Sequence, residues 1–318
     1  MTRKPLRDPR NLSSNKAEEA REQLAPQHAA QETGRNMKPS VIVIGADKGG
    51  VGKTTIARAV LDYLANNNVI TRAFDTEHPR GTLHRFHPEE TEIVDLTSTA
   101  DQMKIIDTLE TAQIKVSVID VRAGGLSIAL QALHDMGFLE AVKEGEFNFV
   151  VFHVLGSSIS SLEEIEEIAP YVEDAQYFLV KNHVNDTTFF EWDPVTHRKY
   201  FEKVQTAGEL TIPKLNEIAY EQVEIAGTPF STFVADKTAE GDHAGHSFVL
   251  RGYVRTWQNK IAEEFDRVGL LGLVAPLAPR APAVCTFSKY LRCVTGSHSK
   301  KVVSLTWFLT RKYCASST

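Results

Sequence analysis

The sequence predicts an α/β fold: a three-layer arrangement in which a mostly parallel, twisted sheet carries helices on both faces. Three observations predict it. Short β-branched runs alternate with segments of helical period, several of those runs are apolar throughout, and a glycine-rich turn joins the first run to the first helix. A strand that is apolar on both sides suits a sheet covered on both faces, which is the setting of parallel strands. Strands alternating with helices pair in parallel through crossover connections.

The elements follow in order. Residues 1–36 are polar, rich in Gln, Glu, Asn and Arg, and nearly free of large apolar side chains. Such a segment buries too little surface to offset its ordering entropy, and a disordered leader is expected there. The first strand is expected at 41–44, a Val-Ile-Val-Ile run bounded by Pro39 and Gly45. A helix follows over 54–66, with Ile56, Val60, Leu61 and Leu64 at helical spacing. The pattern continues with a strand at 69–74, a helix at 100–112, a strand at 115–121 and a mostly helical stretch at 126–142. A strand at 147–154, a helix at 160–169 and a strand at 176–181 complete the alternation, and a long helix covers 247–268. The Pro/Ala spacer at 275–283 then separates the domain, placed at 37–273, from a basic and poorly ordered tail at 274–318.

Composition narrows the function classes. The 318 residues are 42% hydrophobic and 24% charged, as in ordinary soluble domains. No run of 18 apolar residues offers a membrane span, and the charged N-terminus has no apolar core of a secretory signal. The three cysteines, Cys285, Cys293 and Cys314, all fall in the tail. A disulfide framework is not expected, and a cytoplasmic setting is. The net charge of −6 is unevenly spread: residues 267–318 hold eight Lys or Arg and no Asp or Glu, while 37–266 sum to −16. An acidic body disfavours DNA, so contact with nucleic acid or an anionic membrane is expected only through the basic tail or a local patch.

The chemistry concentrates in VIVIGADKGGVGKTT at 41–55, where a strand ends, a glycine-rich turn follows and a helix begins. Glycines let backbone N–H groups wrap a phosphate, and the helix N-terminus adds unpaired donors and a positive dipole end. In a P-loop of this kind the Lys53 ammonium reaches the β- and γ-phosphates and the Thr54 hydroxyl ligates Mg²⁺. Asp47 stands where the usual GxxxxGK[ST] pattern has its first glycine, and a second lysine, Lys48, precedes the glycine pair. Two carboxylate segments follow. Asp75 and Glu77 close the second strand, and Asp120 ends the apolar run Val116-Ser117-Val118-Ile119, where a Walker B aspartate would hold Mg²⁺. Asn182 ends a further strand, and an amide there offers a base edge both a donor and an acceptor. Lys181 and Asp186 have the wrong spacing for a guanine pattern, so ATP is expected rather than GTP. The histidines His78, His84, His87, His243 and His246 have no converging partners in the sequence, and no metal site is expected from them.

Lys48-Gly49-Gly50-Val51-Gly52-Lys53-Thr54-Thr55 resembles the deviant Walker A loop of the ParA/MinD ATPases, within the P-loop NTPase fold. The resemblance implies that these eight residues bind Mg-ATP and that Lys48 reaches across an ATP-dependent homodimer to the partner's phosphates. It further implies that the Asp75–Glu77 segment positions the attacking water, that Asp120 and Thr54 serve Mg²⁺, and that Asn182 reads adenine. The family pattern there is Asp-x-Asp-Pro; this chain has Glu77 with His78 inserted before Pro79, so slow hydrolysis stimulated by an adaptor protein is expected. The segments 74–83 and 119–125 resemble the plasmid StbB/TraL-like branch, whose members accompany plasmid stability and transfer. Two rival readings stand beside it. One is a metabolic P-loop enzyme similar to dethiobiotin or cobyrinate synthases, which use ATP to activate a carboxylate. The other is a nucleotide-binding module whose hydrolysis has decayed.

Overall fold

The computed structural model describes residues 38–109, 114–184, 187–202 and 205–274. The expected leader, the expected tail beyond Val274 and Asp186 lie outside the described residues. β1 (Ser40–Gly45) runs through the middle of the sheet, between β4 (Val116–Asp120) and β5 (Asn148–Leu155). β2 (Thr71–Asp75) pairs with β4, and β3 (Thr91–Ile93) forms the edge beyond it. On the other side β6 (Gln176–Asn182) follows β5, and β7 (Gly208–Ile212) is the opposite edge. The order is β3-β2-β4-β1-β5-β6-β7, and all of these pairs are parallel.

The apolar runs explain the centre of this sheet. Every residue of β1 is buried, Ile42 and Ile44 towards one core and Val41 and Val43 towards the other, as period-2 geometry requires. Full burial of a Val or Ile contributes about 1.5–3 kcal/mol over leaving it exposed. The first core is closed by α1 (Lys53–Asn66), α8 (Glu217–Ala226), α9 (Phe230–Val234), α10 (Phe248–Arg267) and α11 (Leu270–Val274). The second is closed by α3 (Thr99–Ile106), α4 (Leu126–Asp135), α5 (Phe138–Glu144), α6 (Ile159–Ile168) and α7 (Pro194–Phe201). The short α2 (Thr82–Phe86) caps the carboxyl end of β2 and packs on α1. The result is the three-layer parallel fold expected from the sequence.

Several details differ from the sequence reading. The stretch at 126–142 is two helices, because Gly137 sits at φ 80, in the left-handed region that interrupts a helix. The helix expected at 100–112 is described over Thr99–Ile106, and 110–113 lie outside the described residues. β3, β7, α2, α7, α8, α9 and α11 carry no expectation above. β3 is three residues long, and β7 (Gly-Glu-Leu-Thr-Ile) mixes polar and apolar residues as a half-covered edge does. The fold runs through Val274, whose carbonyl accepts the Ser40 hydroxyl at 2.9 Å and ties the last helix to the start of β1. Among the described residues no helix is long and apolar enough to cross a membrane.

Register positions the site. Ile44 lies opposite Asp120 on β4, and Asp120 lies opposite Asp75 on β2. The glycine-rich turn and two strand-ending carboxylates therefore meet at the carboxyl edge of the sheet, where open α/β folds bind their ligands.

Candidate functional site

Past Gly45 the chain turns sharply. Gly50 has φ 73 and Gly52 φ 90, a region in which a side chain is strained. A Cβ on Gly52 would also collide with the Asn182 side-chain amide. That amide donates from Nδ2 to the Val51 carbonyl at 2.8 Å, so Asn182 braces the turn from the end of β6. Gly52 is the N-cap of α1, and the first residues of the helix, Lys53, Thr54 and Thr55, border a pocket. Lys53 is buried, and its Nζ donates to the Lys48 carbonyl at 2.9 Å. Burial holds the Lys53 pKa below its ordinary value, opposed by the charges of Asp120, Glu164, Asp47 and Glu77.

Asp47 has a structural reason that its sequence position hid. Its Oδ1 accepts from the backbone N–H of Leu126 at 2.7 Å and of Ser127 at 3.3 Å, and its Oδ2 accepts the Ser127 hydroxyl. Those are first-turn donors of α4, which is left without a side-chain cap of its own. The Asp47 N–H in turn donates to Glu164 Oε2 at 2.9 Å, and its carbonyl accepts from Gly124 at 2.8 Å. The start of the loop is thus fastened to the segment that follows β4.

The carboxylates divide into two kinds. Asp75 is buried and saturated: Oδ1 accepts the Glu77 N–H at 2.9 Å, and Oδ2 accepts those of Leu83 at 2.6 Å and His84 at 3.2 Å. It caps α2 and fixes the turn that carries Glu77. Glu77 is exposed on the pocket wall, with Oε2 accepting the Thr82 hydroxyl. Asp120 is the opposite case, since its Oδ1 is buried with no hydrogen-bond partner. Burial pushes its pKa up to about 8; the Thr54 hydroxyl and Lys53 act against that rise, and the charges of Asp75 and Glu77 add to it. A buried carboxylate oxygen without a partner, beside a threonine hydroxyl at a helix N-terminus, fits a hard divalent cation. Mg²⁺ takes one or two protein oxygens and completes its shell with phosphate and water.

The pocket measures ≈ 650 Å³, within the usual range for small-molecule sites. Its near wall is the loop with Thr54, Glu77 and Asp120. Its far wall is Pro213, Leu215, Tyr220 and Trp257. Trp257, on α10, donates from Nε1 to the Pro213 carbonyl at 2.7 Å and so holds the β7–α8 connection in place. None of these four is legible locally. Trp257 reads as one more apolar position on a helix, and Pro213 as loop punctuation.

Lys48 is placed differently. It is exposed and borders a second, shallow cleft of ≈ 110 Å³ with Gly156, Ser157 and Ser158, and it does not line the large pocket. Gly49 and Val51 lie on the same side, whereas Gly50 and Asn182 border both spaces. Lys181 is buried between Glu191 and Glu209, at 2.9 and 2.7 Å, and is consumed by those ion pairs rather than turned to the pocket.

No protein-family model matches the chain. The protein MobD of Acidithiobacillus ferrooxidans is 26% identical over 161 residues, covering 49% of this chain and 69% of that protein. Solved structures similar to the chain include MinD proteins, a nucleotide-binding protein and a plasmid partition protein. The septum site-determining protein MinD of Pyrococcus horikoshii OT3, complexed with Mg-ADP, is 16% identical, covering 76% of this chain and 100% of that chain at a TM-score of 0.47. A nucleotide-binding protein of Archaeoglobus fulgidus in complex with ADP is 12% identical, covering 62% and 89% at 0.40. A plasmid partition protein of Borrelia burgdorferi is 16% identical, covering 59% and 97% at 0.33. The chemistry therefore rests on this chain's own residues.

Proposed function

We propose that the chain is a Mg-ATP-dependent switch ATPase of the ParA/MinD type, which dimerises on ATP and acts in partition, plasmid stability or transfer, or intracellular positioning. The observation that carries this reading is the division of the two lysines. Lys53 lies at the pocket with Thr54 and Asp120, while Lys48 is exposed and borders the second cleft instead. An exposed lysine on the loop that does not line its own pocket is available to a second copy's phosphates, as an arginine finger supplied in trans would be.

The roles follow. The turn at 49–52 and the first turn of α1 bind the phosphates, with Lys53 leaving the Lys48 carbonyl for the β- and γ-oxygens. Thr54 and Asp120 would hold Mg²⁺, which would supply positive charge to the terminal phosphates. Glu77 orients the attacking water. Asp75 holds that turn rather than the water, since all of its N–H contacts are to backbone. Asn182 supports the loop and stands at the base end of the pocket. An adaptor protein that adjusts Glu77 would speed hydrolysis; a longer carboxylate tied to Thr82 gives a slow basal rate.

Light scattering without nucleotide, with ADP and with a slowly hydrolysed ATP analogue tests the reading in wild type and Lys48→Ala. A dimer that forms only with the analogue, and not in the variant, is the expected result. A monomer that binds ATP in every condition would sink the trans role of Lys48 and favour a carboxylate-activating enzyme on the same fold.

A further inference from the structure

Arg58 is the largest fully buried side chain in the described residues, one turn of α1 beyond the phosphate loop. Its guanidinium carbon stands 3.4 Å from the Phe86 ring centroid and 4.1 Å from that of Phe230. Its Nη1 donates to Glu224 Oε1 at 2.7 Å, whereas Nε and Nη2 are buried without a partner. Glu224 is thus the carboxylate that compensates a cation clamped between two aromatic rings. The same residue holds α2. Arg85 Nη2 donates to the Glu224 carbonyl at 2.5 Å, and Arg85 Nη1 lies 3.8 Å from Glu224 Oε2. Glu224 also lies next to the pocket wall, because Tyr220, one turn earlier on α8, belongs to that wall. Thr55 and Tyr220 both line the pocket.

α2 is therefore gripped at both ends. Its start is fixed by Asp75 and by the Thr82 hydroxyl on Glu77, and its end by Phe86 on Arg58 and Arg85 on Glu224. We propose that Glu224 is a positioning residue that couples occupancy of the pocket at Thr55 to the placement of Glu77, through Tyr220 on one side and Arg58, Arg85 and Phe86 on the other. The proposal rests on the pocket being a nucleotide site and Glu77 a water-orienting group. A ligand in the pocket packs on Tyr220, one turn before Glu224 on α8. The change reaches α2 through Arg85 and the Arg58–Phe86 stack, both of which Glu224 holds. Coupling of this kind needs a contiguous element whose arrangement both sites bias, and the Glu224 cluster supplies one.

Two mild substitutions test it without emptying the buried Arg58 site. Arg85 is half-exposed and outside the pocket, and Arg85→Ala cuts the tether to α2. Tyr220→Phe removes the polar end of a pocket-lining side chain one turn from Glu224. Hydrogen exchange over 77–86 is followed with and without a slowly hydrolysed ATP analogue, alongside steady-state ATPase kinetics on the full chain. In wild type the analogue should protect 77–86. In each variant that protection should be lost and kcat should fall roughly tenfold, with KM for ATP within about twofold in Arg85→Ala. The double variant should be no worse than either single one, because both cut the same path. Wild-type protection and kcat in both variants, or fully additive losses in the double one, would overturn the relay. No binding of the analogue to the wild type would instead overturn the nucleotide reading, and the relay with it.

Discussion

At the scale of single residues, two aspartates decide most of what the loop can do. Asp47 replaces a glycine of the usual phosphate loop and caps a helix that begins beyond β4. Asp47→Gly restores the common pattern yet should cost stability, by about 1 kcal/mol for the lost cap. In a chain of this size that is a fall of roughly 2–4 °C in Tm, read by thermal unfolding. An unchanged or higher Tm would show that the cap is idle. Asp120 carries a pH signature. Its pKa rises from 3.8 to about 8 in the folded chain, chiefly through burial. Between those values the native state holds a proton that the unfolded state has lost, so stability of the nucleotide-free protein declines as pH rises from about 4 to 8 and then levels. Denaturant titrations across that window should show the slope in wild type and lack it in Asp120→Asn. Asp120 was legible as the end of an apolar strand. The work of Asp47 was not, because its partners Leu126 and Ser127 are brought to it only by the pairing of β1 with β4.

At the scale of elements, the far wall of the pocket depends on one contact between α10 and the β7–α8 connection. Trp257→Phe keeps the ring but leaves the Pro213 carbonyl without its donor. A loss of roughly 0.5–1.5 kcal/mol is expected for one part-buried hydrogen bond. Nucleotide affinity should weaken with it, as the wall bearing Pro213 and Leu215 loosens. Chemical denaturation and titration with a fluorescent ATP analogue would check both, and full affinity in a destabilised variant would detach the wall from binding. The sequence announced the near wall, since the loop's glycines and the strand-ending acids are local signals. It was silent on the far wall, which β7, α8 and α10 build from residues that look ordinary in their own segments. Amphipathic helices declare which face is apolar, not which ligand their apolar face will meet.

For the whole molecule, the alternation of apolar runs with helices was enough to give a parallel three-layer sheet. Strand order was beyond reach, because β1 is inserted between β4 and β5 by long-range pairing that leaves no mark on its neighbours in sequence. That insertion bears on how the chain is made. Ser40 finds its two partners in Val116 and Asn148, so a ribosome must deliver most of the first half of the domain before β1 has a neighbour on either side. Pairings between residues so far apart form late. The loop that follows β1 leaves the exit tunnel well before β4 and β5, its neighbours in the sheet. The brace comes later still, from Asn182, while the capped helix that begins at Leu126 follows β4. The nascent chain therefore gains the finished geometry of this turn in one step, near the completion of β6, rather than growing it by degrees.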